Sequence, residues 1–264
     1  MVRISQIIKS IENYAPISIA EDYDNCGLKI GNTDQNVIGV LVTLDTNIDV
    51  VEEAKRKSCN LIVEHHPSIW KPLKTIDLRI PLNSALIGAA KAGIAVYSAH
   101  TNIDFAPGGL NDVVAKKIGL LDCMPLDGLS SPRLGFLDKS YTLREYAKLI
   151  SAAFADDNVS TIGDLEKNIR KVAVINGGGG GSEEIIWDTY KAGCDVFVTG
   201  EVKHNVARLA KNLNYAIIQV GHYTSEAEFM PLMKKILLGD FPDVPVFCTD
   251  SIGSPYNRRC ELWN

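Results

Sequence analysis

Apolar runs of strand length, each closed by a polar turn, constrain this chain more than any other feature. VIGVLVTLD (37–45), LIVEHH, IAVYSAH, KVAVIN, DVFVTG and AIIQVGH are continuous runs, not alternating ones. A strand apolar at every position is buried on both faces, which marks a parallel sheet covered by helices. Helix-length amphipathic segments lie between the runs: IDVVEEAKRK, PLNSALIGAAKAG, GGLNDVVAKKIG, SEEIIWDTYKAG and VKHNVARLAKNLN. Ile4, Ile7, Ile8 and Ile11 mark one face of a first helix. A helix is predicted from Thr142 to Phe154, another over TSEAEFMPLMKKILLG, and strands over RLGFL and VPVFCT. The predicted class is α/β with mainly parallel sheets, both faces covered.

A chain of 264 residues that is 46% hydrophobic can build two cores. Sliding residues 37–65 by 135 positions lays them on 172–200 without a gap, with Cys59 on Cys194 and Val63 on Val198. The next strand matches at another offset, His100 falling on His222. Two similar, duplicated α/β domains are expected. The first covers 1–125 and is completed by 239–264; the second covers 126–238.

A net charge of −5 gives no global field for nucleic acid or an anionic membrane. No run approaches a membrane span, and the start lacks a signal peptide's apolar core. Cys26, Cys59, Cys123, Cys194, Cys248 and Cys260 include no C-x-x-C pair. They read as reduced, mostly buried thiols of a cytoplasmic protein.

The five histidines all follow apolar runs, at the carboxyl ends of strands where α/β sheets bind ligands, or one helix turn beyond. His65-His66-Pro67 ends one strand, and adjacent histidines converge only where a strand breaks into a loop. His100 opens H-T-N-I-D, ending at Asp104. His222 opens H-Y-T-S-E, ending at Glu226, in the first turn of a helix that Thr224 or Ser225 would cap. Glu201 and His204 share a helix start, as site wall or ordinary polar surface. Gly177–Gly181 reads as a phosphate cradle or a plain turn; Glu183 and Glu184 after it oppose an anion. Asp24 and Asn25 in EDYDNCGLKIG either reach the site or cap a turn. Imidazoles and carboxylates in this number exceed one tetrahedral zinc site and suit two metals sharing a carboxylate.

EDYDNCGLKIG, EHHPSIWKPL, AHTNIDFAPGGLND, VTGEVKHN and GHYTSE, in this order, resemble the NGG-one-interacting-factor-three-like family, also called the GTP cyclohydrolase 1 type 2 homologue family. The resemblance spans about residues 20–226. It implies two similar α/β domains, a dinuclear divalent-metal site between them and a toroidal homohexamer. It also implies His65, His66, Asp104, His222 and Glu226 as ligands, Glu226 bridging, with His100 near the metals. Members often have Trp where Tyr23 stands and a second histidine where Asn205 stands.

The function expected is a metal-dependent hydrolase of a nucleotide-like or heterocyclic substrate. Two divalent ions (Zn, Fe, Mn, Co or Ni) would acidify a bridging water. His100 or Glu201 would act as general acid or base. The alternatives are a metal-binding regulator or chaperone, and a ring-shaped scaffold for a protein or nucleic-acid partner.

Overall fold

The computed structural model of the protein describes residues 1–128 and 131–256. Cys260 lies outside them. The described chain forms two compact units: Met1–Ala106 with Phe229–Gly253, and Pro107–Glu228 with the described residues from Ser254 on.

In the first unit the order is α1 (Ile4–Tyr14), β1 (Gly27–Ile30), β2 (Val40–Thr43), α2 (Ile48–Arg56), β3 (Leu61–Glu64), α3 (Pro81–Lys91), β4 (Ala95–Ser98) and α4 (Thr101–Phe105). The second contains α5 (Leu110–Lys117), β5 (Leu121–Pro125), β6 (Arg133–Thr142), α6 (Leu143–Phe154), β7 (Ser160–Ile162), β8 (Asn168–Ile175), α7 (Glu183–Lys191), β9 (Val196–Thr199), α8 (His204–Asn212), β10 (Ala216–Gln219) and α9 (His222–Glu226). The chain then returns to the first unit with α10 (Phe229–Asp240) and β11 (Val246–Cys248).

The first sheet runs β1-β4-β3-β2-β11. Strands β11, β2, β3 and β4 are parallel, and only β1 is antiparallel. Every residue of β2, β3 and β4 is buried, as continuous apolar runs require. Leu41, Ile62 and Val96 pack with Val50, Val51 and Ala54 of α2 and Ala85 and Ala89 of α3. Each fully buried Leu, Ile or Val contributes about 1.5–3 kcal/mol. Asn47 caps α2 by accepting from the Val50 N–H at 2.9 Å. Strand β11 lies beside β2, so VPVFCT closes the first sheet.

The second sheet, β5-β6-β8-β9-β10-β7, is mixed, which corrects the expectation of mainly parallel sheets. Only β8–β9 and β9–β10 are parallel; β5–β6, β6–β8 and β7–β10 are antiparallel. The reason lies in burial. Arg133, Gly135 and Leu137 of β6 are buried while Phe136 and Asp138 are exposed, and β5 is largely exposed. Half-exposed strands joined by a short connection pair antiparallel. The pairing of β5 with β6 also places residues 121–125 in the second unit.

Two further details depart from the sequence pattern. TSEAEFMPLMKKILLG breaks into α9 and α10 around Ala227-Glu228. Pairing sets Val40 beside Leu61 and Val172 beside Val196, three residues from the gapless slide. A strand buried on both faces has no alternation to announce its register.

Candidate metal centre

In the first unit, Thr43, Glu64 and Ser98 stand abreast at the ends of β2, β3 and β4. The chain leaving these ends carries Asp45, His65-His66 and His100. Strand geometry stops at Glu64. The His65 and His66 N–H groups both turn onto the Leu44 carbonyl, at 3.1 and 2.9 Å. Both imidazoles thereby reach one side, with ring centroids 5.0 Å apart. One nitrogen from each of His65, His66 and His100 can be chosen so that all three lie within 4.8 Å of one another. Asp104 comes in from α4, buried, its Oδ1 3.7 Å from His65 Nε2.

Each of these rings is held through Nδ1. The partner is the Ala99 carbonyl for His65, Asp45 Oδ1 for His66 and Asp24 Oδ2 for His100, all at 2.9 Å. Asp24 Oδ2 also accepts from the Thr101 N–H at 3.0 Å and from the Thr101 hydroxyl. Burial alone would raise the Asp24 carboxyl; the bonds and charge of His100, with the Thr101 bonds, outweigh it and hold the group well below the carboxylate range. Glu64, fully buried, accepts from the Ser98 hydroxyl at 2.6 Å and the Ser68 N–H at 2.8 Å. Burial pushes its carboxyl up. Burial and then Asp24 push the Cys26 thiol up to about 12, which leaves it protonated and no nucleophile.

In the second unit, β9 and β10 end together at Thr199 and Gln219. His222 is the first residue of α9, and Glu226 lies one turn later on the same face. Glu201 Oε1 holds His222 Nδ1 at 2.9 Å, and Glu226 Oε2 meets Nε2 at 3.0 Å. Glu226 is buried.

The pentaglycine forms a 3-10 turn packed on this pair. Gly177 has φ +54°, and a Cβ there would lie 1.9 Å from Glu226 Oε1. A Cβ on Gly180 would lie 2.3 Å from the Glu201 carbonyl oxygen. The N–H groups of Gly177, Gly179 and Gly180 donate to Ser225 Oγ, the Asn176 carbonyl and Thr199 Oγ1. These glycines are needed for close approach, and their donors are spent inside the protein instead of facing an anion.

Sequence reasoning missed Asp45, which ends a strand run as the histidines do and carries that same signal. It also missed Gly177, whose contact with Glu226 has no local signal. It left Asp24 open, and the structure puts it on His100. Glu201 and His204 do not act as a pair: Glu201 meets His222, and His204 opens α8 on the surface. The two H-x-x-x-[D/E] motifs are one residue out of step. His100 precedes α4, whereas His222 begins α9. One residue is about 100° around a helix, so equal spacing gives different placements.

The donor set fits a divalent cation. A carbonyl or carboxylate at Nδ1 takes a proton, which leaves the lone pair of a neutral ring on Nε2, as in metal-bound histidines. Glu201–His222–Glu226 sets a ring between two carboxylates, an arrangement that demands a cation, either a proton or a metal. Ligands of one tetrahedral ion with bonds of about 2.05 Å stand about 3.3 Å apart. The 3.0 and 3.7 Å separations within the two units bracket that value.

The model of one family matches residues 2–255, nearly the whole length: Duf34/NIF3 (NGG1p interacting factor 3). The chain belongs to this family. It is 33% identical to the GTP cyclohydrolase 1 type 2 homolog of Clostridium perfringens over 231 residues, 85% of this chain and 87% of that protein. Its structure is similar to hypothetical protein SA1388 of Staphylococcus aureus, with a TM-score of 0.88 and 25% identity over 97% of this chain and 99% of the other. Reduced HcgD from Methanocaldococcus jannaschii is similar at a TM-score of 0.82 and 26% identity, over 94% of this chain and 98% of that one. As a Duf34/NIF3 member the chain is a mixed α/β protein with two sheets. No helix among the described residues is long and apolar enough to cross a membrane.

Proposed function

We propose that the protein is a hydrolase working with two divalent cations on a nucleotide-like or heterocyclic substrate, and that the half sites of the two units share those cations. His65, His66 and Asp104 would hold them from the first unit and His222 and Glu226 from the second, with Glu226 shared as the family resemblance implies. The observation that carries the reading is the uniform tethering of four imidazoles through Nδ1 to an oxygen acceptor. Such tethers fix tautomer and ring direction, and metal sites depend on them. When bound, the cations supply Lewis acidity and a water acidified to the neutral range.

The chain's own residues divide the remaining work. Asp45 and Glu201 hold His66 and His222 in place. His100, backed by Asp24, is the group suited to move a proton, and Glu201 is the second candidate. Gly177 keeps Glu226 close. The two units follow one strand order, β2-β3-β4 flanked by antiparallel β1 and β8-β9-β10 flanked by antiparallel β7, which supports duplication of one half site. The exposed apolar residues Trp70, Leu73, Ile76, Leu78 and Ile80 support the homo-oligomer, a hexamer by resemblance.

Elemental analysis of untagged protein tests the metal, with a His65→Ala, Glu226→Gln double variant beside it. The reading expects about two equivalents per chain, lost in the variant. A hydrolase screen under that metal follows, with Glu226→Gln folded and inactive. Two equivalents without turnover on any heterocycle or phosphoester would favour the metal carrier. No metal after anaerobic reconstitution would end both readings.

A further inference from the structure

Glu64 ends β3 directly before the histidine pair, fully buried, and is not among the ligands proposed for a cation. A carboxyl in such a place costs free energy unless it is bonded. Its bonds run in two directions. Sideways, Oε1 accepts from the hydroxyl of Ser98, its neighbour on β4, at 2.6 Å. Forwards, the same oxygen accepts from the Ser68 N–H at 2.8 Å, four residues along the chain.

The forward bond completes the turn that carries the imidazoles. Residues 65–68 contain three N–H groups, because Pro67 has none. His65 and His66 give theirs to the Leu44 carbonyl, and Ser68 gives its own to Glu64. Pro67 and Ser68 are buried, so a Ser68 N–H without its acceptor would be costly. A chain that stayed extended here would point the two imidazoles to opposite faces.

The sideways bond acts on the tether of His65. Ser98 is followed by Ala99, whose N–H donates to the Glu64 carbonyl at 2.9 Å. The Ala99 carbonyl in turn holds His65 Nδ1 at 2.9 Å. Side chain and main chain of Glu64 therefore grip the two residues through which the His65 ring is oriented.

We infer that Glu64 is the positioning residue of the histidine pair: as a buried acceptor it closes the His65–Ser68 turn and fixes the segment that orients His65, so that both rings serve one side. Both of its side-chain donors are neutral, a hydroxyl and an amide, so the acceptor oxygen does the positioning and the charge is dispensable. The inference deepens the hydrolase reading and rests on it only for the cation that the rings would hold.

Cobalt(II) titration of the full-length, metal-stripped protein, followed by visible absorption, tests this beside crystal structures of the variants. Glu64→Leu leaves the Ser98 hydroxyl and the Ser68 N–H without their acceptor. Cobalt affinity should fall about tenfold or more, with a changed absorption band, and the His65 and His66 ring centroids should leave their 5.0 Å separation. Glu64→Gln keeps a carbonyl oxygen for both donors and should stay within about threefold of the parent, with the band unchanged. Glu53→Gln is the control for lost stability. Its partners are Lys57, Thr249, Asp250 and Ser251, so it should weaken the unit and leave the cobalt spectrum as it is.

Parent affinity and spectrum in Glu64→Leu would overturn the proposal. So would a loss in Glu64→Gln equal to that in Glu64→Leu, because charge would then be at work. If Glu64→Leu yields no folded protein, Ser98→Ala carries the test: it removes the sideways bond alone and should weaken cobalt about threefold. Parent affinity in that variant would refute the role. Rings parted by Glu64→Leu in a protein that takes up no metal would sink the hydrolase reading and leave the positioning role standing. Tight cobalt with rings unmoved would do the reverse.

Discussion

The two units end parallel strands in the same kinds of group, yet they hold them differently. In the first, three imidazoles converge from β3 and β4, and their acceptors include a main-chain carbonyl and a deeply bonded aspartate. His65 is fully buried, and Asp24 is locked by His100 and Thr101. In the second, one imidazole stands 30% exposed between two carboxylates, one of them on the surface. There the backbone of Gly177 is pressed against Glu226. The cluster of the first unit is over-determined by a buried polar network, whereas that of the second depends on one close backbone approach and borders a cavity. The cluster of the first unit is thus the more firmly anchored of the two.

Four substitutions sharpen or break the comparison. The largest effect is expected from Gly177→Ala. A methyl 1.9 Å from Glu226 Oε1, at a left-handed φ, must displace the carboxylate. Metal affinity should fall about a hundredfold, with a stability cost of about 1–2 kcal/mol. Elemental analysis after dialysis against a graded chelator reads the first, and urea unfolding the second. Full metal retention would show that the turn does not position Glu226.

Next comes acid sensitivity of the first unit. Glu53 is buried on α2 and accepts from Lys57, the Thr249 hydroxyl and the Asp250 and Ser251 N–H groups, tying the segment after β11 to the sheet. Burial raises its carboxyl, but the bonds from Lys57, Ser251, Thr249 and Asp250 win and bring it down to about 2. A depressed carboxyl stabilises fully above its unfolded value near 4.5 and loses that contribution as pH falls through about 2. The contribution is on the order of 3 kcal/mol. Glu53→Gln should be less stable at neutral pH and converge with the parent as pH drops through that window. Hydrogen exchange in residues 246–253 against pH measures it, and parallel curves would refute the assignment.

Asp24→Asn should cost about 2 kcal/mol in the first unit alone, because the His100 and Thr101 donors lose their charged acceptor. Exchange protection should drop around residues 98–105 and stay unchanged in β8–β10. Equal loss in both units would deny that the anchor is local. Smallest is Glu201→Gln. Its carboxylate is 54% exposed, so metal affinity should fall only about tenfold and stability hardly at all. A hundredfold loss there would make the cluster of the second unit as tightly constructed as that of the first.

Much of this was legible in the chain. Strand ends are where α/β proteins expose chemistry, and each apolar run pointed to its own end, so His65, His66, His100 and His222 emerged by position alone. Thr142 and Glu145 form the capping box that starts α6 one residue inside the predicted boundary. Strands β5 and β7 escaped notice because short, exposed edge strands carry little apolar signal. The second sheet was therefore read as more parallel than it is.

The sequence by itself determined the α/β class, the order of buried strands and helices, and which residues stand at the carboxyl ends. Those properties are local: they depend on apolar periodicity and on where a run stops. Only the tertiary structure decided that Asp24 reaches His100 across 76 residues, that Asp45 takes His66 and Glu201 takes His222. It alone set Gly177, the first of five glycines, against Glu226 and turned the N–H groups of Gly177, Gly179 and Gly180 inward. Pairing across a sheet end is set by register and strand order, and strands buried on both faces write neither into their sequence.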